Sequence, residues 1–187
     1  VLRPKYPIVT RRLVLRPFRT GDLDALFDLY RRPEVVRYLY WGTRSREEAQ
    51  EDLQRRITQS RIDDDCRRLA LAVVLPDLGR MIGDVTLKWA SREHRQGEIG
   101  FSFHPDHQGH GFATEAAEVL LGLGFDGLGL HRVMGRCDAR NVASARVMEH
   151  LGMRLEARFV HNEMFKGEWG DELVYAILED EWRDRCG

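Results

Sequence analysis

The segment GEIGFSFHPDHQGHGFATEAAEVLLGLGF, Gly97 to Phe125, leaves the chain few options. Its first part alternates, with Glu98, Gly100 and Ser102 on one face and Ile99, Phe101 and Phe103 on the other, as a strand in a covered sheet does. Its last part places Ala113, Ala117, Leu120, Leu121 and Gly124 on one helical stripe, which needs a sheet beneath it. Between the two, Gly109 and Gly111 flank His110. A strand that passes through two glycines straight into a helix is either a tight turn or a place where bare backbone N–H groups meet an anion. The phosphate-binding P-loop is excluded because no G-K-[ST] follows, and a dinucleotide fingerprint would need Gly or Ala where Thr114 stands.

The flanking segments describe the sheet that this unit joins. RRLVLRPF (Arg11–Phe18) reads as a short strand and TGDLDALFDLY as a helix, with Leu23, Leu26, Phe27 and Tyr30 at helical spacing. Ser45 and Glu48 form a capping box, after which Ala49, Leu53 and Ile57 give a narrow stripe suited to a surface helix. LALAVVL and MIGDVTLKW, joined across PDLG, predict an antiparallel hairpin. RVMGRC follows as a strand, and NVASARVMEHLG as a helix with an Asn/Ser start and a Gly152 stop. RLEARFVHNEMF and LVYAIL close the chain as β-rich runs separated by KGEWGDE. The expectation is a single α/β domain over residues 1–187, with a mixed sheet of about six to seven strands, early antiparallel and later parallel pairs, and helices on both faces.

Composition removes several classes of function. With 29 basic against 30 acidic residues, no net field draws the chain to nucleic acid or an anionic membrane. Cys66, Cys137 and Cys186 are odd in number and widely spaced, which points to reduced thiols rather than a disulfide framework or zinc site. His104, His107 and His110 are spaced by three but lie across a strand end and a proline loop, with no second ligand cluster, so no metal is expected. No apolar run approaches the ~20 residues that span a bilayer, and a soluble cytoplasmic protein is expected.

Gln108-Gly109-His110-Gly111-Phe112-Ala113 resembles motif A of the GNAT N-acetyltransferases, [QR]-x-x-G-x-[GA]. TRRLVLRPF near the start, ARNVASARVMEHLGMRLEA in the middle and KGEWGDELVYAILEDEW at the end resemble, in order, the branch that acetylates N-terminal amines of ribosomal proteins. That resemblance implies the GNAT fold, acetyl-coenzyme A as cosubstrate and a primary amine as acceptor. It implies that the backbone of Phe101, Ser102 and Phe103 holds the pantetheine arm, and that the loop of Gln108, Gly109, His110, Gly111, Phe112, Ala113 and Thr114 holds the pyrophosphate. Asn141 and Ser144 match the family's Asn-x-x-Ser, with Asn on the cofactor's arm and Ser near its sulfur; as residue types alone, both equally suit helix capping.

Acetylation of an amine needs a neutral nucleophile and a stabilised thiolate. Deprotonating an α-amine of pKa ~8 at pH 7 costs roughly 1.4 kcal/mol, and a lysine-like amine at ~10.4 about 4.6 kcal/mol. A carboxylate acting through water suffices for the former. Glu163 matches the position of the branch's proposed base, and Glu98 shares a strand face with Gly100 and Ser102. The resemblance implies Ser144 as the donor to the leaving sulfur, and Tyr175 reads as sheet core. Tyr38, Tyr40 and Trp41 fall where the family builds part of its acceptor site. The acceptor stays open among a protein N-terminus, an aminoglycoside or other small amine, and a polyamine. A non-catalytic coenzyme-A-binding module and a dinucleotide oxidoreductase are the other classes.

Overall fold

The computed structural model describes residues 1–186. Eight strands form one sheet: β1 (Ile8–Val9), β2 (Val14–Pro17), β3 (Arg68–Leu75), β4 (Arg80–Ser91), β5 (Gln96–Phe103), β6 (Arg132–Asp138), β7 (Arg154–Phe165) and β8 (Glu168–Leu178). Their order across the sheet is β1-β2-β3-β4-β5-β6-β8-β7. The helices are α1 (Leu23–Tyr30), α2 (Pro33–Val36), α3 (Arg46–Ile57), α4 (Phe112–Gly122), α5 (Val142–His150) and α6 (Glu179–Cys186).

Alternation along β3 divides the core. Leu69, Leu71 and Val73 enter one apolar layer with Ala117, Leu120 and Leu121 of α4 and Met148 of α5. Ala70 and Ala72 enter the other, with Leu26, Leu29 and Tyr30 of α1 and Leu53 of α3. Both faces of the sheet are thus covered, and the small alanines leave room for the α1–α3 side.

Three expectations about the elements are corrected. Only β5 and β6 pair in parallel; the pairs of β6 and β7 with β8 are antiparallel, because the chain after α5 returns as a hairpin. KGEWGDE is not a long connection. Its turn is Lys166-Gly167, both at positive φ (49° and 87°), and Glu168 onward is already β8. Two left-handed residues match the twist of a two-residue hairpin, and the polar composition that suggested a loop reflects a solvent-facing sheet end. Helix α3 has the Ser45–Glu48 capping box, with the Ser45 N–H donating to Glu48 Oε2 at 2.7 Å. It is not a plain surface helix, however, because Asp52 and Arg56 are buried in its packed face (2% and 8% exposed).

One glycine fixes how closely β4 approaches β5. A Cβ on Gly83 would stand 2.5 Å from the Ser102 carbonyl oxygen and 2.7 Å from the Phe103 ring. Gly83→Ala is expected to destabilise the protein by about 1–3 kcal/mol, the cost of overpacking a filled site, as read by chemical denaturation.

Candidate active site

The register of the sheet opens a slot at its centre. Strands β5 and β6 pair from Gln96 opposite Arg132 to Ile99 opposite Gly135 and then stop, although β5 runs on to Phe103 and β6 to Asp138. Outside the slot both strands stay paired, β5 with β4 as far as Phe103 and β6 with β8 as far as Asp138. Gly100, Phe101, Ser102 and Phe103 therefore turn one row of peptide groups toward β6 without a strand to receive it. An extended molecule with amide groups can pair there as an added strand.

Directly after that row comes the glycine turn. Gly109 and Gly111 adopt φ 77° and 78°, a region that costs a side-chain-bearing residue. Gly111 is the N-cap of α4 and supplies no side-chain cap. The N–H groups of the first helical turn, Phe112, Ala113 and Thr114, lie before any intrahelical acceptor and carry the positive end of the helix dipole. This is an anion cradle in its chemistry. Gln108 ties it to the slot by donating from Nε2 to the Phe103 carbonyl at 2.9 Å.

The turn between β1 and β2 holds the other side of the cradle. Arg12 donates from Nη1 to the His110 carbonyl at 2.8 Å and pairs through Nε with Glu115 at 2.7 Å, and its guanidinium lies 4.7 Å from the centroid of Phe112. Thr10 donates its hydroxyl to the same Glu115 at 2.7 Å. Burial alone would raise the Glu115 carboxyl, but hydrogen bonds from Thr10 and Arg12 and the Arg12 charge bring it below the usual glutamate range. His110 stacks on Phe112 with 5.7 Å between centroids.

Asn141 caps α5, its Oδ1 accepting from the Ser144 N–H at 3.1 Å. The capping reading of this pair thus describes the bond that the structure forms, and it leaves the Ser144 hydroxyl free of that bond. Cys137, on β6 beside the slot, is a free thiol that burial first, and then Asp138 and Glu172, push up to about 11.

A chain with this slot and cradle can be set beside known proteins. The family model described as "Acetyltransferase (GNAT) domain" matches residues 12–154. The chain belongs to the GNAT acetyltransferases. It is 34% identical to the uncharacterized N-acetyltransferase YnaD of Bacillus subtilis (strain 168), over 94% of this chain and 98% of that one. The spermidine N(1)-acetyltransferase of Escherichia coli (strain K12) is 27% identical, over 90% of this chain and 87% of the relative. Among solved structures, the GNAT-family acetyltransferase of Bacillus anthracis superposes with a TM-score of 0.82 at 30% identity, covering 93% of this chain and 99% of that one. This GNAT chain is an acetyl-CoA-dependent acetyltransferase.

On the sheet face opposite α4 and α5, the enzyme gathers carboxylates. Glu163 of β7 accepts a hydrogen bond from the Tyr40 hydroxyl at 2.5 Å, across 123 residues of sequence. Glu172 of β8 is 6% exposed and accepts from Asn162 Nδ2 at 3.1 Å. Burial raises the Glu172 carboxyl above the ordinary glutamate range; Arg136, 3.7 Å away, draws it down, and the charges of Glu163 and Glu98 push it up again. The two expected glutamates, Glu98 and Glu163, thus share one wall with a third that the sequence reading missed. Glu172 was hidden by the reading of KGEWGDE as a loop; taken as strand, the alternation Gly170, Glu172, Val174 puts it on the Glu163 face, since Glu163 pairs with Gly170.

The other candidates fall into place around this wall. Tyr40 is 68% exposed and packs edge-on against Phe165 at 5.8 Å, whereas Trp41 packs on Tyr30 at 6.2 Å as part of the α1 side of the core. Tyr175 is core, 3% exposed, its hydroxyl donating to Glu149 at 3.1 Å. His104 is 7% exposed with Nε2 3.1 Å from Asp28 Oδ2, a bond that ties the end of β5 to α1. Among the described residues no group of three or more His, Cys, Asp or Glu side chains is disposed to hold a metal, and no helix is long and apolar enough to cross a membrane.

Proposed function

We propose that this acetyltransferase moves the acetyl group of acetyl-CoA to the α-amine of a protein or peptide N-terminus. The observation that carries the reading is the parting of β5 from β6 immediately before the uncapped first turn of α4. Pantetheine amides pair with the backbone of Phe101, Ser102 and Phe103, and the pyrophosphate rests on the N–H groups of the loop from Gln108 to Thr114. With the phosphates held there, the thioester lies in the slot, the acceptor entering from the Glu98, Glu163 and Glu172 face.

In the reaction the amine lone pair attacks the thioester carbonyl carbon, the C–N bond forms, the tetrahedral intermediate breaks its C–S bond to expel the thiolate of coenzyme A, and the nitrogen gives up its remaining excess proton, which neutralises the thiolate. The amine must first lose a proton, which Glu163 receives through water. Tyr40 engages one oxygen of Glu163 and leaves the other to accept. The Ser144 hydroxyl donates to the departing sulfur, and Asn141 fixes the backbone from which Ser144 projects. Glu98 and Glu172 maintain a negative wall that favours a cationic amine at the entrance.

A second acceptor class has its own support. The relation to a spermidine acetyltransferase and the three carboxylates on one face both favour a polyamine or another small amine. An acceptor panel of N-terminal peptides, polyamines and aminoglycosides, read by release of free thiol from acetyl-CoA and by mass analysis of the product, decides between the classes. The expected result is acetylation on the peptide α-amine; thiol release with polyamines alone would replace that assignment, and release with none would remove the catalytic one.

The two catalytic roles leave different pH signatures. Glu163→Gln is expected to lower the rate by about ten- to a hundredfold near pH 6.5, where an α-amine is mostly protonated, and to approach wild type near pH 9. Ser144→Ala is expected to cost roughly 1–3 kcal/mol at every pH, because it removes one hydrogen bond to a developing anion. Should Glu98→Gln show the pH-dependent loss and Glu163→Gln a wild-type profile, the base belongs on β5.

A further inference from the structure

A second concavity lies on the acceptor face, where α3 ends. It has a volume of about 740 Å³ and is lined by Ile57 to Arg61, Asp65 to Arg68, and Lys88. Four cations line it against one carboxylate, Asp65. Arg61 is already paired with Asp63. Arg67, Arg68 and Lys88 form no ion pair among the described residues; Arg68 makes only a long bond of 3.5 Å to the Thr86 hydroxyl. The other arginine-rich surfaces of this chain are laced with carboxylates, as around Glu156 and Glu179, so three unpaired cations round one hollow stand apart.

Register connects this hollow to the carboxylate wall. Arg68 of β3 stands opposite Lys88 of β4, Lys88 opposite Glu98 of β5, and Glu98 opposite Met134 of β6. Residues paired across strands project to the same face, so two cations and an anion form a row across the sheet, spaced by ~4.8 Å per strand. Glu98 is two residues before Gly100, where the slot begins, or about 7 Å along the strand. From the slot to the cations is therefore on the order of 10 Å, the length of about three extended residues.

We propose that the pocket of Arg67, Arg68 and Lys88 binds a carboxylate or phosphate group carried by the acceptor, about three residues from the amine that is acetylated. The inference rests on the acceptor reading above. It makes the substrate bipolar: an ammonium drawn to the Glu98, Glu163 and Glu172 wall at one end, and an anion held at the other. An acidic N-terminal peptide fits both ends. A polyamine fits the first and is repelled at the second.

The test uses three peptides of equal length that differ only at their third and fourth residues, which are Glu, Gln or Lys. Wild type is expected to favour the acidic peptide over the neutral one by about tenfold in kcat/KM, mainly through KM, with the preference shrinking as salt is added. Arg68→Gln and Arg67→Gln/Lys88→Gln are expected to remove the preference and leave turnover of the neutral peptide as it was. Equal kcat/KM for the three peptides in wild type, or a preference that survives in both variants, would overturn the proposal. Cys66, a free and half-buried thiol in the pocket lining, supplies a readout without turnover. With coenzyme A filling the cradle, the acidic peptide is expected to slow Cys66 alkylation and the neutral peptide is not. Protection by the acidic peptide without any acetylation would sink the catalytic assignment of the acceptor face and keep the pocket. Protection by inorganic phosphate alone, with no peptide preference, would make it a free-anion site and end the proposal, as would no protection at all.

Discussion

Gly111→Glu is expected to leave the protein folded and unable to bind coenzyme A, with affinity reduced at least about a hundredfold in calorimetry. Three effects act together. A side chain at φ 78° strains the turn, the new carboxylate lies at the first-turn N–H groups where phosphate must approach, and its Cβ would meet Arg12 Nη2 at 3.4 Å. Arg12 would then be drawn to the new carboxylate and away from Glu115 and the His110 carbonyl that it now holds. Gly111→Ala separates the contributions, since it carries the strain and no charge. It is expected to weaken binding by a smaller factor, and a full loss in the alanine variant would assign the effect to backbone geometry. Unchanged affinity in a folded Gly111→Glu protein would move the pyrophosphate elsewhere.

The largest loss of stability is expected from Arg56→Ala. Arg56 is buried between two carboxylates, with Nε 2.9 Å from Asp52 and Nη1 2.8 Å from Asp84, and Nη2 3.3 Å from the Tyr30 hydroxyl. Tyr30 donates to the second oxygen of Asp84 at 2.6 Å. Burial would lower the Arg56 guanidinium, but Asp84, Tyr30 and Asp52 raise it well above the ordinary value, so the cation is retained. Its removal leaves Asp84 buried without a cation and Asp52 with Arg55 as its remaining ion-pair partner, and breaking a buried pair in this way typically costs about 3–5 kcal/mol. For a chain of this length that is a fall in Tm of about 10 °C, measurable by calorimetry. Arg56→Met with Asp84→Asn, which removes one charge of each sign, is expected to cost less than Arg56→Ala alone. A double variant no more stable than the single would mean that lost packing, not charge, sets the effect.

These two sites mark how far the sequence could be read. Elements whose neighbours along the chain determine them were legible: the alternation of β5, the glycine turn, the capping box at Ser45 and the hairpin across Pro76-Asp77-Leu78-Gly79 each depend on a few adjacent residues. In the loop from Gln108 to Thr114 the turn geometry and the helix start were legible for the same reason. Illegible were the features made by distant residues meeting. Asp52 and Arg56 are ordinary helix-surface residues until α3 lies on β4 and Asp84 comes within reach. Glu163 offers no hint in its own strand of Tyr40, and Glu172 joins the wall only once a seven-residue connection is recognised as a two-residue turn. The row Arg68, Lys88, Glu98 exists only through the registers of three strands.

The short parallel ladder between β5 and β6 has a mechanical meaning. Everything from β1 to β5 forms one antiparallel leaf, and β6, β8 and β7 form another; four residue pairs are the seam along which the leaves join. Beyond those pairs, side chains also join leaf to leaf, among them the Tyr40 hydroxyl on Glu163, Lys166 Nζ on the Val36 carbonyl at 2.6 Å, and Arg95 on Glu179 at 3.1 Å. The proposed base is thus itself one end of such a link, held by Tyr40 through one oxygen while the other is left to accept. On the proposed assignments the thioester enters where the four-pair seam opens and the acceptor meets Glu163, so both substrates occupy joints between the same two leaves.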